Sequence, residues 1–146
     1  MTAAPQPLFG QTLGLAQQAL GVLARRAIAD AGTDFDTWLT LNALAQNQDP
    51  QDASAVINIV AAALPKPVAE VEALIATLES RRLVYRSGDT GISLTPGGAM
   101  RHAELRSALQ AVSRTALSVV EPTDLDTTRR VLEAVTLRAK ELAAAG

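Results

Sequence analysis

The sequence predicts a mainly α-helical chain with one small β-hairpin, and three observations carry that expectation. Apolar residues recur every three or four positions through most of the 146 residues. That period gives way to β-formers only over Leu83-Val84-Tyr85-Arg86 and Ile92-Ser93-Leu94-Thr95. Between these two runs, Ser87-Gly-Asp-Thr-Gly91 has the composition of a tight loop. A two-stranded ribbon is too weak to stand by itself, so this one must lean on its neighbouring helices.

Taken in order, residues 1–7 read as a loose, proline-containing arm. Leu8 to about Ala31 reads as a helix whose Leu13, Ala16, Leu20, Leu23 and Ala27 form one apolar seam. Gly32 closes it, and Thr33-Asp34 caps a second helix running to about Gln46, with Phe35, Trp38, Leu39 and Leu41 on its inner side. Asn47 to Gln51 reads as a turn. Asp52 or Ser54 can cap a third helix through Leu64, which Pro65-Lys66-Pro67 breaks. Pro67 can sit at the start of a fourth helix ending near Arg82. Two helices joined by so tight a turn are a helix-turn-helix, and a hairpin directly after them makes it winged.

After the hairpin, Thr95 is placed as an N-cap and Pro96 as the first helical residue, where its missing N–H costs nothing. The long helix then runs to about Val120 with His102, Leu105, Leu109, Val112, Ala116 and Val119 as its stripe. Glu121-Pro122 ends it. Asp124 can cap a last helix with a seam of Leu125, Thr128, Leu132, Val135, Ala139 and Leu142, and Ala143 to Gly146 reads as a frayed end. The expected organisation is one domain over 1–146. Its winged helix-turn-helix core spans 33–95, with dimerisation and scaffold helices over 8–31 and 96–143. Terminal seams of this kind usually pair with a second copy, so a two-fold homodimer is expected.

Composition narrows the chemistry. Alanine supplies much of the 48% apolar content, and large side chains are few, with one Trp, one Tyr and two Phe. A monomer so built packs thinly, and burial between subunits is the natural supplement. The absence of cysteine removes disulfides, thiolate chemistry and the usual structural zinc sets, and suits a reducing compartment. The N-terminus lacks the basic-then-apolar order of a signal peptide, and no apolar run approaches ~18 residues, so a cytoplasmic protein without membrane partners is expected. Net charge is −2, with eleven arginines to two lysines, which argues against broad nucleic-acid binding and leaves room for a local basic patch.

No nucleophile–histidine or paired-carboxylate pattern supports catalysis, and Gly97-Gly98 reads as a helix start rather than a phosphate cradle. One histidine without cysteine is no metal site, and no cofactor is expected. His102 lies on the apolar stripe of the long helix, where a buried, hydrogen-bonded imidazole is the ordinary outcome. Trp38, the only tryptophan, reads as core or as the lining of a crevice.

The helix order resembles the MarR family of winged helix-turn-helix regulators from about Leu8 to Leu142. The residues that carry the likeness are Thr33-Asp-Phe-Asp-Thr-Trp-Leu-Thr-Leu41, Leu78-Glu-Ser-Arg-Arg-Leu-Val84 and Leu94-Thr-Pro-Gly-Gly98. The resemblance implies a DNA-binding repressor that acts as a homodimer on a pseudo-palindromic operator. The fourth helix would lie in the major groove and the wing at the minor groove. It also implies a crevice for a small apolar or aromatic effector, with Trp38 and His102 as lining. On this reading Lys66, Glu70, Ala73, Thr77, Arg81, Arg82, Arg86 and Ser87 face DNA.

The exposed candidates of the fourth helix depart from a usual groove reader. Glu70, Glu72 and Glu79 outnumber Lys66, and Asp89 sits at the wing tip. Such a dimer would neutralise only ~4–6 phosphates, for weak, salt-sensitive binding. The alternative reading is therefore a winged-helix protein-interaction or ligand-sensing module that has lost operator binding.

Overall fold

In a computed structural model, residues 8–145 are described; the expected N-terminal arm lies outside them. The elements run α1 (Phe9–Asp30), α2 (Phe35–Leu44), β1 (Gln51–Asp52), α3 (Ala53–Ala63), α4 (Val68–Ser80), β2 (Val84–Ser87), β3 (Gly91–Leu94), α5 (Pro96–Leu117) and α6 (Pro122–Ala144). The chain divides into two compact units, the first ending at Ser113 and the second beginning at Arg114.

Local chemistry explains most boundaries in the first unit. Gly32 takes a φ of +77° at the end of α1. From there Gly32 N–H and Thr33 N–H reach back to the carbonyls of Ala29 and Ile28, at 2.9 and 3.3 Å. Asp34 caps α2 by accepting from Thr37 N–H at 2.7 Å. Asp52, rather than Ser54, caps α3, accepting from Ala55 N–H at 2.9 Å. Pro67 is the N-cap of α4 rather than its first helical residue.

The wing holds one strand more than the sequence suggests. Gln51, read as the end of a turn, and Asp52, read only as a helix cap, form β1 and pair with Ile92 and Gly91 of β3. The sheet is antiparallel in the order β1-β3-β2, and β2 pairs with β3 from Val84↔Leu94 to Ser87↔Gly91. The strands sit one residue off the expected runs, because Ser87 and Gly91 close the ladder around the Gly88-Asp-Thr90 turn. Two residues of low β-propensity after a proline leave no periodic signal, so β1 exists only through its partner. Asp52 serves both elements, which ties the base of the wing to the start of α3.

Between these elements lies one core. Leu41 and Leu44 of α2, Val56 and Val60 of α3, and Val71, Ile75 and Leu78 of α4 bury fully or nearly so, joined by Val84, Ile92 and Leu105. Each such side chain contributes about 1.5–3 kcal/mol by leaving water. α1 adds only Ile28 to the buried set. Its apolar seam is open in the single chain, with Leu13, Ala16, Leu20 and Leu23 all exposed.

The second unit holds the end of α5, a link over residues 118–121, and α6. Here Glu121 is the N-cap and Pro122 opens α6, whereas the sequence reading placed the cap at Asp124. Proline at the first helical position presets φ, so the helix begins three residues earlier. α6 has no buried residue, and its outer charges pair along the helix, with Arg129 spanning Asp126 at 2.6 Å and Glu133 at 3.1 Å. Val131, Val135, Leu137 and Leu142 remain exposed.

The closest backbone approach lies where α5 begins. A Cβ on Gly98 would stand 1.9 Å from the Leu83 carbonyl oxygen, inside any permissible contact, whereas one on Gly97 meets nothing nearer than 3.6 Å. Gly98→Ala is therefore expected to lower the melting temperature by several degrees, corresponding to overpacking of about 1–3 kcal/mol or more. Gly97→Ala should leave it within about a degree. Thermal unfolding of the two variants by circular dichroism checks the pair.

Candidate functional site

The outer surface of the α3–α4 pair and the wing carries cations and anions in equal number. From Lys66 to Gly91 there are four cations (Lys66, Arg81, Arg82, Arg86) and four anions (Glu70, Glu72, Glu79, Asp89). Two of the cations are already engaged. Lys66 Nζ lies 2.6 Å from Asp36 Oδ2 and 3.8 Å from Glu70 Oε2. The hydrogen bond to Asp36, with that carboxylate's charge, raises the Lys66 pKa above its usual value. Arg86 Nε lies 3.3 Å from Glu79 Oε2, which joins β2 to the last turn of α4.

Arg81 and Arg82 end α4 in the manner expected from the sequence, but the backbone there is unusual. Arg82 has a φ of +59°, and Arg82 N–H and Leu83 N–H donate to the carbonyls of Glu79 and Leu78. A non-glycine residue in that region costs about 1–2 kcal/mol, which the close packing of the following residues offsets. Both guanidinium groups are exposed and form no ion pair within 4 Å among the described residues. Of the four cations on this surface they are the most available to an anionic partner.

The remaining candidates on this surface are modest. Thr77 Oγ1 donates to Ala73 O at 3.0 Å and Ser80 Oγ to Thr77 O at 2.7 Å, so both hydroxyl protons are spent on the helix's own backbone. Glu70 and Ala73 are exposed, and Ser87 is half-buried at the base of the wing turn.

On the other side of α2 the structure brings the two lining candidates face to face. The Trp38 and His102 rings are parallel, 5.1 Å between centroids and 1° between planes. Asn42 Oδ1 lies within hydrogen-bond distance of His102 Nε2, at 3.1 Å. Burial lowers the His102 pKa, and the nearby Arg106 charge lowers it further, so the neutral ring is favoured. Two adjoining grooves open here. One, of about 380 Å³, is lined by Trp38, Asn42, Ala45, Gln46, His102 and Arg106. The other, of about 480 Å³, continues from His102 and Arg106 to Leu94, Thr95, Pro96 and Ala99 at the base of the wing. Both fall in the size range of small-molecule sites, roughly 300–1,000 Å³.

The sequence did not single out Asp36, Asn42 or Arg106, and it marked Glu79 only as an exposed charge of the fourth helix, not as the partner of Arg86. Asn42 and Arg106 are i+4 neighbours of Trp38 and His102 and share their helix faces, so spacing alone could have flagged them. Asp36 meets Lys66 across two helices, and only the fold supplies that contact. Among the described residues no group of three or more His, Cys, Asp or Glu side chains could hold a metal ion, and no helix is long and apolar enough to cross a membrane.

No family model matches the chain, and no curated protein matches it in sequence. Solved structures do match it in fold. A MarR-family protein of Mycobacterium tuberculosis in complex with DNA is 16% identical, covers 89% of this chain and 98% of its own, and superposes with a TM-score of 0.73. A Mycobacterium tuberculosis MarR-family structure in complex with p-aminosalicylic acid is 18% identical, with 89% and 99% coverage and a TM-score of 0.74. CouR of Rhodococcus jostii RHA1, bound to p-coumaroyl-CoA, is 17% identical, with 92% and 95% coverage and a TM-score of 0.69. The chain thus has the winged helix-turn-helix fold of the MarR family, mainly helical with a small antiparallel wing.

The stacked pair yields a pH prediction. Because the folded chain favours neutral His102, the unfolded chain takes up a proton first as pH falls. The stability that this provides is complete above the ordinary imidazole value of 6.5 and is lost as pH falls through the lower folded value. Relative to His102→Phe, which keeps a ring on Trp38 but cannot titrate, the parent should lose thermal stability between about pH 7.5 and pH 5. Trp38 fluorescence, quenched by a protonated imidazole, should fall with a midpoint below 6.5. A midpoint at or above that value would contradict the assignment.

Proposed function

We propose that this protein is a DNA-binding transcription regulator, rather than an enzyme, acting in the cytoplasm as a homodimer on a pseudo-palindromic operator. The observation that carries this reading is the α3–α4 pair with its wing, whose outer surface is free of other elements of its own unit. Its fold is shared with a protein solved on DNA. α4 enters the major groove, and Arg81, Arg82 and Arg86 approach phosphates around it. The open apolar faces of α1 and α6, including Leu15 at 66% and Leu137 at 62% exposure, are the surfaces a second copy covers.

The groove beside Trp38 and His102 receives a small apolar or aromatic effector. Its stacked rings offer an aromatic face, and Arg106 and Asn42 offer polar groups at the rim. Similar folds have been solved with p-aminosalicylic acid and with p-coumaroyl-CoA. The effector acts by population shift: it binds better to a form whose two reading helices no longer match half-sites one helical turn apart, and so releases the operator. That makes the protein a repressor.

A second reading is favoured by the pairing of Lys66 with Asp36 and of Arg86 with Glu79, which leaves this surface near neutrality. On it, the winged helix is an interaction module that no longer binds operator DNA. A gel shift with the DNA flanking the protein's own gene, at two salt concentrations, separates the readings. The regulator gives a complex that weakens steeply with salt, and the interaction module gives none even at low salt.

Two further outcomes are expected. Glu79→Gln, which releases Arg86, should tighten binding to DNA of any sequence and steepen the salt dependence by about one counterion per subunit, while Arg86→Ala weakens all sequences alike. Light scattering after size exclusion should give twice the 15.3 kDa chain mass, falling to one chain when Leu13 and Leu20 are both changed to Asp.

A further inference from the structure

Val68 to Ser80 contains no Lys, Arg, His, Asn, Gln or Trp, so no α4 side chain carries an N–H. Its two hydroxyls, Thr77 and Ser80, donate to backbone carbonyls of the same helix. Lys66, just before it, is held by Asp36. The helix therefore offers bases only methyl groups and acceptors.

The helical period arranges these in order. Val71, Ile75 and Leu78 point into the core, so at about 100° per residue the crest opposite them is Ala69, Ala73, Ala76 and Ser80. All four are exposed. Glu72 flanks the crest on one side without an ion pair within 4 Å among the described residues, and Glu70 and Thr77 flank it on the other. A crest of alanines lets the backbone approach the groove floor more closely than long side chains would.

The chemistry of the major groove then fixes what such a helix can read. Guanine presents two acceptors there and needs a donor, usually Arg or Lys. Thymine presents a methyl group, and cytosine and adenine present amino donors. We infer that α4 reads thymine methyl groups through the Ala69–Ala73–Ala76 crest and an amino group of cytosine or adenine through Glu72, and leaves guanine unread. The inference rests on the operator-binding reading and specifies its code. The operator half-site contacted by α4 is accordingly marked by thymines and amino-bearing bases. Specificity comes from shape and methyl contact more than from bidentate hydrogen bonds.

Base-analogue interference on the full-length protein tests this, with duplexes from its own upstream DNA. Deoxyuridine in place of thymidine, which deletes only the methyl group, should weaken binding roughly five- to tenfold at each contacted position, the low end for a base-edge contact. 7-Deazaguanine, which deletes the N7 acceptor, should change affinity less than about twofold. Glu72→Gln gains a donor and should shift preference towards adenine at one position per half-site. Equal affinity for thymidine and deoxyuridine duplexes, or loss of binding with 7-deazaguanine, overturns the readout while operator binding stands. No complex with any duplex at low salt overturns operator binding and the readout together.

Discussion

The start of α5 rests directly on the end of α4, and both surfaces of interest depend on that contact. Gly98 lacks a side chain where the Leu83 carbonyl passes. Thr95 locks the approach: its Oγ1 donates to Arg82 O at 2.6 Å and accepts from Gly98 N–H at 2.9 Å, and its own N–H donates to Leu83 O at 3.0 Å. One residue thus caps a helix and satisfies the carbonyls left by the left-handed turn at Arg82. The exit of α4, the first strand of the wing and the helix bearing His102 and Arg106 are set at fixed angles by three hydrogen bonds and a missing methyl group.

That junction gives the proposed coupling a physical route. The groove runs from Trp38 along α5 to Thr95 and Pro96, so a molecule seated there touches the residues that hold the wing and the end of α4. A small displacement of the α5 start cannot be absorbed locally, because the Gly98–Leu83 contact has no slack. It must be passed to the wing or to α4, which carry Arg86 and Arg81–Arg82.

Electrostatics on the outer surface follow from pairing rather than from composition. A count of charges near α4 gives a balance, whereas the fold engages Lys66 and Arg86 and leaves Arg81 and Arg82 open. Exposed pairs of this kind contribute little to stability, about 0–1 kcal/mol each. Under the proposed function their consequence is for binding, since a phosphate would have to compete with a carboxylate already in place. Phosphate contact would thereby be limited, and discrimination would rest more heavily on the face of α4 itself.

Much of the architecture was legible beforehand, because it is written in local rules. The 3.6-residue period, Gly32, the caps at Asp34, Asp52 and Thr95, and the break at Pro65–Pro67 depend on neighbours in sequence, and each helix appeared within a few residues of its expected place. Trp38 and His102 were picked out singly for their chemistry. What no local rule supplies is the meeting of residues far apart in the chain. The two-residue strand at Gln51–Asp52, the parallel stack of Trp38 on His102, the grip of Asp36 on Lys66 and the contact of Gly98 with Leu83 were decided by tertiary packing. The identity of each residue was set by the chain, and its partner by which surfaces the core brought within a few ångströms.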